Sequence, residues 1–300
     1  MTGIARAMPA SGLSTRSAPS IDLPARFLAF GLVDLLIVGL TVPFALPLLL
    51  NGYYQSNLLV FVHLNTIGVV GVMITGASYQ LVPVVLGTPL ASERLGRVSF
   101  WCLLAGIVAF LSGLYTGRLP LLGTGGTLMV LGFAIYITVV GLTLLQAPAI
   151  DIVGWHIAAS LAGLAGGMTL GLLLALNRGA GFLGDMTLRL LATHIILMVG
   201  GWVMVLLMGV SYRLIGIFTV SEESLHQRLA HVGLGLLLAG VWLLALGAFF
   251  ALPTPFLVIA ASLFLAAHIV YAVQLRRMYQ GRRRRGIDVH MPFIVLSAAL

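Results

Sequence analysis

Lysine is absent from these 300 residues, cysteine occurs once, and charged residues of every kind make up only 8% of the chain. A soluble domain carries roughly 25% charged residues to face water, so this composition excludes an ordinary soluble globular fold. The lone cysteine, Cys102, lies inside an apolar run, which rules out an internal disulfide and any reading of redox compartment. No apolar core precedes residue 27, so residues 1–25, rich in Ser, Pro and Ala, lack the centre of a cleavable signal and read as a disordered cytoplasmic tail. A phosphate-binding glycine loop, a Cys-x-x-Cys-His attachment motif and a His-Glu-x-x-His helix are also missing. Asp151, Asp185, Glu222 and Glu223 fall at helix ends or in loops, and on this reading no carboxylate stands in mid-membrane to relay protons.

What is present is apolar: hydrophobic residues reach 60% and mean hydropathy is +1.11. Apolar runs fall at about 27–50, 57–86, 98–117, 126–146, 153–176, 188–218, 228–250 and 255–275. Each is close to the ~20 residues that span a bilayer, and they are too long and too unalternating for barrel strands. The expected fold is all-α, a polytopic transmembrane helix bundle of eight full spans. A further run, Met291–Leu300, reads as the start of a ninth. With the N-terminus inside, the cytoplasmic segments hold thirteen arginines and the outer ones three, Arg118, Arg178 and Arg189. That asymmetry is the positive-inside pattern of a bacterial-type inner membrane protein. The net charge of +8 is concentrated at 276–285, where Arg282–Arg285 reads as an anchor on anionic headgroups. The expected partner is therefore the lipid bilayer, with no nucleic acid.

Helix starts at 27, 57, 98 and 126 recur at 153, 188, 228 and 255, after shifts of 126 to 131 residues. The chain divides into a tail (1–25), one four-helix repeat (26–148), a second (149–280), and a basic loop opening a third unit (281–300). Helix two and helix six share His63 with His194, and Gly-x-Ser-Tyr-x-Leu at Gly76–Leu81 with the same pattern at Gly209–Leu214. The histidine-to-tyrosine spacing is 16 residues in one and 18 in the other. Either the histidines are not equivalent, or a bulge in one helix absorbs the slip.

His63 lies about 9 Å below the outer surface at 1.5 Å per residue, and His194 at a similar depth. Intramembrane ionisable residues are costly and often functional, and neutral imidazole is the commonest metal ligand. Small residues follow each on nearly one face, Gly71 and Ser78 after His63, Gly201 and Gly209 after His194, a surface on which a flat macrocycle could lie. The alternatives stand beside this: glycines that pack helices closely, and histidines that bond a neighbouring helix. Arg189 could pair with an acidic cofactor group or simply snorkel, and Tyr79 and Tyr212 fit a cofactor site or an interfacial aromatic belt. His156, His231 and His268 form either a second cluster or a set of interfacial caps; His226 and His290 sit in solvated connections.

His63-Leu-Asn followed by Gly76-Ala-Ser-Tyr-Gln-Leu-Val-Pro83 resembles the second helix of the catalytic subunit (subunit I) of heme-copper oxidases, especially nitric oxide reductases. The chain also looks like the shorter NnrS-like and oxidase-subunit-I-like membrane proteins. The resemblance implies twelve helices in three arcs of four, with His63 ligating a low-spin b-type heme whose other ligand sits on a tenth helix. It places a copper ligand at His194 and another at His231. His231 has no histidine neighbour, and the usual residues around the helix-six ligand are missing, so a complete copper centre is not expected. Electron transfer or oxygen or nitric oxide chemistry follows, with cytochrome or other respiratory subunits as partners. The competing reading is a cofactor-free transporter, channel or structural subunit of a respiratory complex.

Overall fold

The computed structural model describes residues 17–49 and 54–283. Among these, the chain is helical with no strand, and eight helices are long and apolar enough to cross a membrane. They are α1 (Asp22–Leu49), α2 (Ser56–Leu86), α3 (Glu93–Thr116), α4 (Leu119–Leu145), α5 (Ile152–Ala180), α6 (Gly184–Thr219), α7 (Gln227–Phe250) and α8 (Thr254–Gln280). Their outward faces carry large apolar side chains, such as Leu32, Leu36 and Leu40 on α1 and Val258, Leu265 and Ile269 on α8. Hydrocarbon suits such a surface, and a helix satisfies its own backbone there. The ninth apolar run at Met291–Leu300, with Arg284, Arg285 and His290, lies outside the described residues, as do residues 1–16 of the tail.

Polar residues at the helix ends set the boundaries. Ser92 caps α3, its hydroxyl accepting from the Leu95 N–H at 3.2 Å, so the helix starts ahead of the apolar run. Asp151 caps α5 by accepting from the Gly154 N–H at 3.0 Å, and its other oxygen binds Arg213 of α6 at 2.7 Å. The first helix begins at Asp22, inside the stretch read as tail. Ser20 ties it down, donating its N–H and hydroxyl to Glu93 at 3.0 and 2.8 Å, and Leu23 is fully buried.

Neighbouring helices pair as α1 on α2, α3 on α4, α5 on α6 and α7 on α8, with α4 joining the two halves through α5. In lipid, close approach depends on small residues. A Cβ on Gly106 of α3 would come 2.7 Å from the Met129 amide nitrogen of α4, and Gly163 of α5 faces Gly201 of α6 backbone to backbone.

The second and sixth helices are irregular at matching places. A π-helical segment follows His63 in α2 (Leu64–Gly71), and another follows His194 and Ile195 in α6 (Ile196–Met204). Of the two alternatives the spacing leaves open, the second places the bulge in one helix, whereas both helices widen. Such segments are uncommon and are frequent at functional sites.

Candidate functional site

His63 of α2 and His194 of α6 are 131 positions apart, yet both line the same space between the helices. Two adjoining cavities share His63, Phe110, Gly171 and His194. One runs toward Tyr54 and Arg178 at the bundle end, the other toward Met129, Phe133 and Met198 in its middle. The His63 ring lies 5.2 Å from the ring of Phe110, centroid to centroid.

Each imidazole is held through Nδ1. In His63 that nitrogen sits 2.7 Å from the Leu59 carbonyl one turn back, as it does in many helical histidines. In His194 it sits 2.7 Å from the carbonyl of Gly167 on α5, a bond across helices that fixes the ring against a neighbour. Gly171 makes room for it: a Cβ there would come 2.9 Å from His194 Cε1. A neutral ring that donates from Nδ1 keeps the lone pair on Nε2, the arrangement by which a backbone carbonyl orients a metal-ligating histidine. The two histidines are thus alike in chemistry and different in anchoring.

The other residues singled out in the sequence lie elsewhere. Tyr79 is fully buried where three helices meet, its ring centroid 5.5 Å from those of Phe27 on α1 and Tyr136 on α4. Tyr212 repeats this 5.7 Å from His156 on α5 and 5.5 Å from Tyr271 on α8. Gly76 and Gly209 provide the gaps into which Phe27 and His156 fit. The Gly-x-Ser-Tyr pattern thus lies at a helix junction in both places, and burial of the two rings takes them off the lipid-facing surface of an aromatic belt. Neither lines the two cavities.

Arg189 is exposed and does not line them either. Arg178 of α5 takes that position, donating to Ser56 Oγ at 2.7 Å with its guanidinium 5.3 Å from the centre of the Tyr54 ring. His231 is also exposed, bonded at Nδ1 to the Gln227 carbonyl near the opposite end of the bundle. It does not join His194. His268 bonds the Phe264 carbonyl, and His226 caps α7 by accepting from the Leu229 N–H.

One residue was missed outright. Asp34, inside the first apolar run, is 4% exposed and stands among the hydrophobic residues of α1, overturning the expectation that mid-membrane carboxylates are absent. The sequence did hold the signal, because Leu23, Phe27, Gly31, Asp34 and Val38 fall at the three- and four-residue steps of one helix face.

A heme is the group the resemblance implies, and its fit divides into two parts. The donor set suits iron: two neutral imidazoles on a common space, with a guanidinium at the mouth for acidic groups. The free volume is about 50 Å³ in each cavity, whereas about 150 Å³ is needed for benzene and 10–15 Å³ for a water. A porphyrin is much larger than either space, so a heme would need the side chains that line them, Phe110 and Met129, Met168 and Met198 among them, to move apart. Compared with known proteins, the chain matches no family model, no curated protein and no solved structure.

Proposed function

We propose that this chain is a heme-binding integral membrane protein of the heme-copper oxidase subunit I type, set in a bacterial inner membrane with its N-terminus in the cytoplasm, and handling electrons or a diatomic gas. The supporting observation is that His63 and His194, from separate halves of the chain, line one space between the helices with Nδ1 tied down in both. A b-type heme bound there would supply one-electron exchange. The protein's part would be to offer His63 and His194 to the iron, meet acidic groups with Arg178, and limit water with Phe110 and the methionines. Copper is not part of the proposal, since no three His, Cys, Asp or Glu side chains come together among the described residues. The paired junctions at Tyr79 and Tyr212 support a duplicated four-helix unit. Cytochrome or other respiratory subunits are the partners this reading names.

Protein purified from heme-replete cells is expected to show a Soret band, shifted or lost in His63→Ala and in His194→Ala. A colourless preparation overturns the proposal.

A second reading, the cofactor-free transporter or channel, is favoured by the water-sized cavities between the halves. It predicts no heme, and solute flux into liposomes that His63→Ala and His194→Ala both reduce.

A further inference from the structure

Asp34 belongs to neither histidine cavity. It follows Asp22, the first residue of α1, by twelve residues, or about 18 Å at 1.5 Å per residue. The hydrocarbon core is about 30 Å thick, so the carboxyl lies close to the midplane. It faces inward: Phe27, Gly31, Asp34 and Val38 form the buried strip of α1, and this strip packs on α2.

The receiving surface is the π-helical segment of α2. Gly68 stands opposite, and a Cβ there would come 2.7 Å from Asp34 Oδ2, so the glycine leaves the gap in which the carboxyl lies against the helix. Oδ2 is sealed from solvent and has no hydrogen-bond partner. Around it the contacts are apolar, with Gly31 against Met73 and Val38 against Leu64 and Val69. Charged and titratable groups on the packing helices are committed elsewhere. Asp22, Arg26, Glu93 and Arg97 bond one another at the start of α1 and α3. His63 faces Phe110, and Tyr79 faces Phe27 and Tyr136.

An ionised carboxylate with neither donor nor counter-charge in hydrocarbon is among the costliest groups a helix can carry. A hard metal cation would need about six oxygen ligands, and the apolar side chains here offer none. A proton needs only the carboxyl itself. We propose that Asp34 is a proton-binding site near the membrane midplane, seated in the gap left by Gly68 and carrying an exchangeable proton. Such an acid serves proton-coupled transport or proton delivery equally, and the inference does not depend on a heme.

Infrared spectroscopy of the full chain in lipid bilayers tests it. The C=O stretch of a protonated carboxylic acid is expected, moving down in D2O and in protein labelled with 13C-aspartate, and lost in Asp34→Asn. Should that variant fail to fold, Asp34→Glu is expected to keep an acid band that no longer responds to labelled aspartate. Absence of an aspartic acid band means an ionised carboxylate and overturns the proposal. A band indifferent to D2O means a sealed proton, and a band abolished when sodium chloride replaces choline chloride means a metal ion; either result overturns it as well.

Discussion

Asp151 shows how much one side chain can carry at a helix end. Its carboxylate caps α5 and pairs with Arg213 of α6, both groups being about a third exposed. Asparagine keeps a capping oxygen but loses the charge, while alanine loses both. Asp151→Asn is therefore expected to cost at most about 1 kcal/mol, as a screened pair does. Asp151→Ala should cost about 1 kcal/mol more, read as the midpoint of a detergent denaturation titration. Equal losses in the two variants would assign the whole effect to the ion pair. At this scale the sequence was informative about residue type and poor about direction. Intramembrane position picked out His63 and His194, but of Arg178 and Arg189 it could not say which turns toward the cavity. That depends on the rotation of α5 and α6 about their axes, which the packed bundle sets. Asp34 was legible in the spacing of its neighbours, and was overlooked because the run around it reads as uniformly apolar.

The shared Gly-x-Ser-Tyr pattern was visible in the chain, whereas its role was not, since the partners Phe27, Tyr136, His156 and Tyr271 come from other helices. Each junction joins three helices at a tyrosine, with a ring from a neighbouring helix, Phe27 or His156, seated in the glycine gap beside it, so the pattern is a packing device. The second junction adds a hydrogen bond between Ser211 of α6 and Tyr271 of α8 at 2.7 Å. Interhelical bonds of this kind average about 0.6 kcal/mol in membranes. Ser211→Ala, Tyr271→Phe and the double variant should give a coupling energy of that size in a thermodynamic cycle. A coupling near zero would show that the rings, and not the hydroxyls, hold α6 to α8. The unequal histidine-to-tyrosine spacing hinted at an irregular helix, but the residues of Leu64–Gly71 suit an ordinary α-helix equally well and do not mark where the turn widens.

For the molecule as a whole, hydrophobic run length was enough to find all eight helices, because spanning a bilayer constrains length and composition so tightly. An even number of crossings puts both ends of the described bundle on one side, together with Arg26, Arg94, Arg97, Arg213 and Arg228. In a Cys102→Ala background, single cysteines at Leu119 and Asp185 are expected to react with an impermeant maleimide in intact cells. Those at Pro148 and Glu223 should react only after lysis, and the reverse pattern would invert the proposed orientation. How the bundle is held has a mechanical consequence. The half of α2 bearing Tyr79 is clamped by its neighbours, whereas the half bearing His63 is joined to it through the widened turn. A helix turns by about 100° per residue, so the width of that turn sets the bearing of the imidazole relative to the tyrosine junction.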